Sequence, residues 1–377
     1  MGIYEELGVR RVVNANARWT ALGGSKMPAP VLAAMNEASG SYVDLHALQQ
    51  AVGERIAAMT RNEGAYVTTG AAAGLVVAVL AAMNRGELAA IARRLEGQPP
   101  ERDEVVIHRA HRIPYDAAVG LTGGRLVGVG NALQTFEWEF DAAITERTAA
   151  VLFVAGRHLA RGALDLPTVV RIAHGRGVPV IVDGAAQLPP VESLWHYTRD
   201  LGADMAVFSG GKELRGPQAS GFVVGKTEWI EACRANGAPH QRLARPMKAG
   251  KEEMIGLLTA IGLYLGADHA ARERFWEETV AGWVAAVDGL PGVRAWRGFP
   301  DEAGQPAPRA WVALDPAVAG MTGRDLHARL WEGEPAVAVA LEGEDAISLS
   351  PTTLDGDDPA IVTGRLREVL ARQRVAV

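Results

Sequence analysis

MAVFSGGKELRGPQASGFVVG, from Met205 to Gly225, is an apolar run that ends in a glycine-rich turn before a second apolar run begins. Lys212 lies in this turn. The chain contains 38 lysines and arginines, and only five of them are lysines, at positions 26, 212, 226, 248 and 251. The two residue types are nearly interchangeable on a solvated surface, but only lysine readily loses its proton or forms an imine. Lys212 is therefore a candidate functional residue.

Short runs rich in β-branched residues recur around this stretch and alternate with helical stretches. The predicted strands cover residues 105–108, 125–129, 150–155, 178–182, 205–208 and 221–224. This alternation is typical of a mainly parallel α/β sheet with both faces covered. After residue 291 the pattern changes to short strands, a helix near 323–331 and a final helix at 358–374. We expect a large α/β domain at 46–255 and a small α+β domain formed by 1–45 and 256–377.

Composition narrows the class of protein. The chain has 377 residues, 48% of them hydrophobic, and a net charge of −6 without a block of basic residues, which argues against nucleic acid as the main partner. The single cysteine, Cys233, rules out an internal disulfide framework and a CxxC metal site. We see no secretion signal and no apolar run long enough to span a bilayer, so we expect a cytoplasmic protein.

A second candidate residue ends another predicted strand. Asp183 closes the apolar part of VPVIVDGAAQLPP, 29 residues before Lys212. Ligands bind at the carboxyl ends of parallel strands, so the two side chains are expected at one edge of the sheet. TTGAAAG, from Thr68, places backbone N–H groups at the start of a buried helix, which suits a phosphate. Pyridoxal phosphate requires a lysine for its aldehyde, an acid for its ring nitrogen and a phosphate cradle.

Two other glycine-rich patterns do not fit nucleotide-binding motifs. GFVVGKT, from Gly221, has three residues where a Walker A loop has four before its Gly-Lys pair, and TGAAAG is not G-x-G-x-x-G. Neither ATP nor NAD is predicted.

Six motifs occur in a characteristic order: RVVNANARWTALGGSKMP, TTGAAAGL, HRAHRIPYDAAVGLTGGRLV, PVIVDGAAQLPP, FSGGKELRGPQASG and RPMKAGKEEM. On these motifs the chain resembles the fold-type I pyridoxal-phosphate enzymes, and within them the selenocysteine-synthase-like family. It is most similar to the D-glucosaminate-6-phosphate ammonia-lyase-like branch. The resemblance covers nearly the whole chain, is most specific around Lys212 and is weakest in the C-terminal third. It implies the PLP-dependent transferase fold, with a seven-stranded sheet in the large domain.

The resemblance also implies residue roles. Lys212 would bind the cofactor's aldehyde, and Asp183 would pair with its ring nitrogen. His111, just past a predicted strand, would stack on the ring, and it is favoured over Arg112. The remaining cofactor contacts would come from backbone N–H groups, a hydroxyl, an amide and two basic side chains: Gly70, Ala71, Ala72, Ser209, Gln187, Arg245 and Lys248.

Several of these assignments have ordinary alternatives. Gln187 could simply cap a turn, and the two histidines of HRAH could be packing residues. No carboxylate or cysteine accompanies that pair at ligand spacing, so no metal site is predicted. Arg245 and Lys248, together with Lys251, would form a basic cluster that reaches the cofactor phosphate of a neighbouring subunit in a homodimer or higher homo-oligomer. The alternative for that cluster is a solvated basic loop.

The reaction is less well specified than the cofactor. The resemblance favours elimination of ammonia from a β-hydroxylated amino acid or amino sugar acid, giving a 2-keto product. Racemase, aldolase and transaminase remain alternatives, and a catalytically silent protein of this fold is a remote one. PAVAVALEGEDAISL, where related enzymes carry a carboxylate-binding arginine, contains none. Arg157, Arg215 and Arg245 are the candidates to replace it.

Overall fold

A computed structural model describes residues 2–371. Contacts divide this part of the chain into two compact units. The larger unit contains Met27–Gly266 and Ala303–Gln305; the smaller contains the residues up to Lys26, Ala267–Glu302, and the chain from Pro306 onward. The larger unit extends beyond the expected boundaries of 46–255 at both ends. The helix Ala29–Ser39 packs along the helix Lys251–Leu265, and this contact holds both segments in the larger unit.

The elements, in chain order, are as follows. The strands are β1 (Val12–Asn14), β2 (Gly64–Thr68), β3 (Glu104–His108), β4 (Arg125–Val129), β5 (Thr148–Val154), β6 (Val180–Asp183), β7 (Met205–Ser209), β8 (Gly221–Gly225), β9 (Val293–Gly298), β10 (Arg309–Leu314), β11 (Ala336–Ala338), β12 (Ala340–Glu342) and β13 (Ala346–Leu349). The α-helices are α1 (Ile3–Glu6), α2 (Ala29–Ser39), α3 (Leu45–Met59), α4 (Ala71–Asn84), α5 (Leu88–Leu95), α6 (Ala117–Leu121), α7 (Glu137–Ala143), α8 (Leu166–Gly175), α9 (Ser193–Trp195), α10 (Thr227–Asn236), α11 (Lys251–Leu265), α12 (His269–Val287), α13 (Pro316–Ala319), α14 (Gly323–Glu332) and α15 (Asp358–Ala371).

A seven-stranded sheet organises the larger unit. Its strand order is β2-β8-β7-β6-β5-β3-β4. Strands β3, β4, β5, β6 and β7 run parallel to one another, whereas β8 is antiparallel to both β2 and β7. The prediction of a mainly parallel seven-stranded sheet is therefore confirmed. All six predicted strands are present with small shifts at their ends, and β2, which was not among the predicted strands, adds an edge strand.

Hydrophobic residues cover both faces of this sheet. One buried cluster includes Phe140, Phe208 and Phe222, and the opposite cluster is built around α4. Residues Gly74 to Asn84 of α4 are all buried, as expected for a helix that is apolar on every side. Because α4 is enclosed along its length, its N-terminus is held in a fixed position at the edge of the sheet.

The smaller unit is α+β, as predicted. An antiparallel sheet with the order β12-β13-β10-β9 and a parallel pair, β1 with β11, pack with α12, α14 and α15 around a core that includes Trp283, Leu326 and Leu366. The final helix is described to Ala371; residues 372–374 of the predicted helix lie outside the described residues.

No single helix between residues 2 and 371 is long and apolar enough to cross a membrane. Two pairs of consecutive helices reach that length only when they are joined across bends of 113° and 83°.

Candidate active site

The carboxyl ends of three adjacent parallel strands, β5, β6 and β7, carry the central residues. Asp183 is the last residue of β6 and lies opposite Val154 of β5 and Val207 of β7. Lys212 follows the end of β7, at Ser209, by three residues. The parallel register brings these strand ends to the same edge, as the sequence predicted.

Asp183 is a desolvated carboxylate. Its residue is 6% exposed, and its Oδ1 accepts a hydrogen bond from the backbone N–H of Ala185 at 3.0 Å. Burial raises the pKa of Asp183, while the N–H donor and the Lys212 ammonium act in the opposite direction. The electrostatic interaction with Lys212 indicates that the two predicted residues are brought close together. A buried acid of this kind is suited to a cationic partner such as a protonated ring nitrogen.

A compact loop holds the backbone of Lys212. The Gly210 N–H donates to the Ser220 carbonyl at 2.9 Å, and the Gly216 N–H donates to the Gly210 carbonyl at 2.8 Å. A side chain at Gly211 would lie 2.5 Å from the Cα of Gln218, which explains the second glycine before the lysine. Lys212 itself is half-buried. The glycines thus close the loop tightly and keep the amine at the edge of the sheet.

Gly70 begins the predicted phosphate cradle at the N-terminus of α4. Its φ is +108°, a conformation that favours glycine. The first N–H groups of an α-helix have no partner within the helix, so residues such as Ala71 and Ala72 present donors to an anion. Thr68 and Ser209 both lie opposite Gly221 in the sheet register. Ser209 therefore ends its strand level with Thr68, with Gly221 of β8 between it and β2, the strand that leads into the cradle.

Gly221 also shapes the phosphate cradle, a role that was not predicted from the sequence. A Cβ at this position would lie 2.4 Å from the carbonyl carbon of Gly70 and 2.6 Å from the nitrogen of Ala71. The cradle therefore requires a glycine on the neighbouring strand. Pairing with β2 across the sheet decides this, and no local motif signals it.

His111 lies in the turn after β3 and is 1% exposed. Its Nδ1 accepts a hydrogen bond from the Val154 N–H at 3.3 Å, which anchors the ring to the end of β5. Burial lowers the pKa of His111 to about 3, with further contributions from His108 and His158. The imidazole is therefore neutral and lies one strand away from Asp183. Gln187, also buried, donates from Nε2 to the carbonyl of Ala303 at 3.3 Å.

Two of the three side chains in the basic cluster predicted at residues 245–251 are exposed to solvent. Arg245 and Lys248 are exposed. The carbonyl of Met247, between them, accepts a hydrogen bond from the Thr69 N–H at 3.2 Å, so this turn abuts the cradle of its own chain. Lys251 was expected to join the cluster, and that expectation is wrong. Its Nζ donates to the carbonyls of Ala38 at 2.9 Å and Ser39 at 3.1 Å, where it completes the C-terminus of α2.

Two further lysines have structural partners. Lys26 forms an ion pair with Asp358 at 2.6 Å, and Lys226 forms one with the buried Asp204 at 2.6 Å. Scarcity alone therefore does not single out Lys212; its place beside Asp183 does. Of the arginines considered for a substrate acid, Arg157 and Arg245 are exposed and Arg215 is half-buried.

These residues fit pyridoxal phosphate. The larger unit holds a half-buried amine, a desolvated acid that interacts with it, a neutral imidazole and a glycine-lined helix N-terminus around one sheet edge. Each of them matches one demand of the cofactor: its aldehyde, its ring nitrogen, its ring face and its phosphate.

Comparison with known proteins agrees with this arrangement. The family model described as L-seryl-tRNA selenium transferase matches residues 18–275. The chain belongs to this family. The chain is 34% identical over 374 residues to a D-glucosaminate-6-phosphate ammonia lyase from Salmonella typhimurium, covering 97% of both chains. It is 35% identical over 376 residues to a 5'-C-glycyluridine monooxygenase-decarboxylase from Streptomyces sp., covering 97% of this chain and 92% of the relative.

Solved structures confirm the fold. A structure of D-glucosaminate-6-phosphate ammonia-lyase matches with a TM-score of 0.85 at 33% identity, covering 99% of both chains. A serine palmitoyltransferase solved with bound pyridoxal phosphate matches with a TM-score of 0.58 at 15% identity, covering 95% of this chain and 87% of that one, which shows the fold alone. This member of the selenium transferase family has the fold-type I architecture that its motifs predicted.

Proposed function

We propose that this chain is a pyridoxal-phosphate-dependent carbon–nitrogen lyase that releases ammonia from a β-hydroxylated amino sugar acid and leaves a 2-keto product. The similarity to the Salmonella ammonia lyase over 97% of both chains carries the proposal. The pairing of Lys212 with a desolvated Asp183 supports it from the side of the chemistry.

The proposed roles follow from the chemistry of each side chain. Bound pyridoxal phosphate supplies an electron-withdrawing ring that stabilises negative charge on the substrate carbon next to the amine. Lys212 would bind the cofactor, take the proton from that carbon and pass a proton to the departing β-hydroxyl, which leaves as water. Water would then hydrolyse the carbon–nitrogen bond of the released unsaturated amine, giving ammonia and the 2-keto product. Asp183 keeps the ring nitrogen protonated. Gly70, Ala71, Ala72 and Ser209 bind the phosphate.

The state of His111 favours a lyase over a racemase. A racemase needs an acid–base group on each face of the ring, and His111 is the candidate for the second face. Its pKa of about 3 keeps it neutral, and its Nδ1 already accepts from the Val154 N–H. A neutral imidazole whose acceptor nitrogen is occupied is a poor base at neutral pH.

A second candidate is oxidative decarboxylation. The relative from Streptomyces, named a monooxygenase-decarboxylase, is as similar to this chain as the ammonia lyase is. That chemistry consumes oxygen and releases carbon dioxide, whereas ammonia elimination from a β-hydroxylated substrate needs no oxidant. The two candidates can therefore be separated by their stoichiometry.

The decisive experiment supplies the holoenzyme with D-glucosaminate-6-phosphate, without an added keto acid, in air and under argon. We expect equal amounts of ammonia and a 2-keto acid at the same rate in both atmospheres. Lys212→Ala should remove this activity, and borohydride reduction followed by peptide mapping should place the cofactor on Lys212. Lys26→Arg, which alters an ion pair in the smaller unit, is the control.

Three results would contradict the proposal. Oxygen uptake with carbon dioxide release would establish the second candidate. Turnover that requires an added keto acid would establish a transaminase. Formation of only the epimeric amino acid, without ammonia, would establish a racemase.

A further inference from the structure

Backbone hydrogen bonds determine which ring nitrogen of His111 carries its proton. The Val154 N–H can only donate, so Nδ1 of His111 must offer a lone pair. A neutral imidazole with its lone pair on Nδ1 carries its proton on Nε2. His111 is therefore held in one tautomer by the end of β5, the strand that pairs with the Asp183 strand.

His108, which had no assigned role, supports that ring. It is completely buried at the end of β3, and its Nε2 accepts from the Leu164 N–H at 3.3 Å. Its ring lies 4.8 Å from that of His111 with an interplanar angle of 60°, and it stacks on Phe140 at 5.1 Å and 22°. Phe153 meets His111 edge-on at 4.6 Å. The two aromatic neighbours and the Val154 N–H restrict rotation of the His111 ring.

The surroundings also disfavour a second proton on His111. The titratable groups that interact with it are His108 and His158, both of which are cationic when protonated. Burial lowers the pKa of His108 to about 4, so His108 is neutral too. Among the described residues no carboxylate is paired with His111 that would stabilise an imidazolium.

The ring nitrogens that accept no backbone hydrogen bond, Nε2 of His111 and Nδ1 of His108, differ in how far the protein encloses them. His108 Nδ1 is enclosed without a hydrogen-bond partner, whereas His111 Nε2 is not among the enclosed unpartnered atoms of residues 2–371. The N–H of His111 thus retains access to a ligand, although the ring as a whole is buried.

We propose that His111 takes part in the reaction as a hydrogen-bond donor through Nε2, to an oxygen of the bound cofactor or amino acid, and that His108 is a positioning residue that holds it there. The inference rests on the proposed function only in its kinetic part. It assigns His111 no proton-transfer step, and Lys212 remains the group that moves protons.

The first test is NMR of protein labelled with ¹⁵N-histidine, with His196→Gln to identify an exposed reference histidine. We expect His111 to show a protonated Nε2 and an unprotonated Nδ1 from pH 5 to pH 8, without titration. A midpoint within that range, or a proton on Nδ1, would overturn the proposal whether or not the enzyme is an ammonia lyase. If the Nε2–H signal moves on cofactor binding, the acceptor is a cofactor oxygen; if it moves only with substrate, the acceptor belongs to the substrate.

The second test compares His111→Gln, which keeps a side-chain N–H, with His111→Phe, which keeps only an aromatic ring. We expect the glutamine variant to stay within about tenfold of wild-type kcat and the phenylalanine variant to lose about 10²–10³-fold, the range typical of a lost hydrogen-bond donor in an active site. The pH profiles of the wild type and His111→Gln should have the same limbs. A limb that disappears in His111→Gln would show that His111 titrates, against the proposal.

The positioning role of His108 has its own readout. His108→Phe should leave the fold intact and give His111 signals from a mixture of tautomers. A single, unchanged His111 tautomer in a folded His108→Phe variant would remove the role of His108. If that variant does not fold, His108→Gln provides the same comparison with an acceptor retained for the Leu164 N–H.

Discussion

The burial of Asp183 lowers the stability of the folded chain when its carboxyl is ionised, and it also suits the carboxylate to a cationic ligand. Burial raises the pKa of this carboxyl, so the folded chain holds the proton to a higher pH than the unfolded chain does. This contribution to stability is fully present below the unfolded-state pKa and is lost as the pH rises through the folded-state pKa, where the buried carboxyl becomes ionised. A bound cation offsets that cost, which explains why an acid is tolerated at the end of a buried strand.

We predict that Asp183→Asn is at least as stable as the wild type without cofactor at pH 7, and that the difference narrows as the pH falls. Turnover should fall by about 10²–10³, because electrostatic contacts in active sites are commonly worth this much. Urea unfolding at pH 7 and pH 5, together with kcat, measures both effects. Near-normal turnover, or a less stable variant at pH 7, would contradict the assignment.

Asp165 provides a matched contrast. Its carboxylate accepts from the Thr168 N–H at 2.9 Å at the start of α8, and hydrogen bonds from the side chain and the backbone of Thr168 lower the pKa of Asp165. Asp165→Ala should destabilise the protein by about 1 kcal/mol, as expected for a lost helix cap, and leave turnover unchanged.

The cradle at the start of α4 depends on its contact with β8. Gly221 must lack a side chain because a Cβ there would lie 2.4 Å from the backbone of Gly70. Neither group is flexible, since α4 is buried along most of its length and β8 is hydrogen-bonded on both sides. Any substitution at Gly221 must therefore move the end of α4 or the strand.

We predict that Gly221→Ala weakens cofactor retention by at least about tenfold, because the N–H groups that bind the phosphate are displaced. The chain offers a control in Gly282 of α12, where an added Cβ meets nothing within 4 Å. Gly282→Ala should stabilise the protein by about 0.5–1 kcal/mol through helix propensity and leave retention unchanged. Equilibrium dialysis of the cofactor and thermal unfolding measure the two effects. Equal retention in the two variants would contradict this account of the cradle.

Arg245 and Lys248 are the residues through which we expect two copies of the chain to associate. Both are exposed, and the turn that carries them abuts the cradle of its own chain through Met247 and Thr69. We propose a homodimer in which these side chains approach the cofactor phosphate of the neighbouring subunit. Their exposure supports this proposal, since an exposed basic pair beside an anion site is available to a second chain.

We predict that replacing Arg245 and Lys248 together by alanine weakens cofactor retention. In the wild type, retention should decline as the protein is diluted below its dimer dissociation constant, whereas the double variant should retain the cofactor poorly at every concentration. Cofactor content measured across a dilution series tests this, with Arg324→Ala, at an exposed ion pair of the smaller unit, as control. Wild-type retention that is independent of dilution would show that the contact lies within one chain.

The sequence by itself determined the class of fold and placed Asp183 and Lys212 after strands that end at one edge of the sheet. Apolar runs such as those ending at Asp183 and Ser209 are read correctly because a strand buried on both faces must be apolar throughout. Lys212 stands out because its neighbours are glycines that only a tight loop requires. β2 was missed because GAYVT is short and lies directly against a turn signal, and it becomes a strand only through pairing with β8.

Tertiary structure decided what distant residues do to one another. Lys251 looks like its neighbour Lys248 in the sequence, yet it completes the C-terminus of α2 more than 200 residues earlier in the chain. Gly221 is required only because β8 passes against the start of α4. The proton of His111 is placed by a backbone N–H of another strand. The neutrality of that ring and the desolvation of Asp183 both depend on burial, which is a property of the packed chain and not of its local pattern.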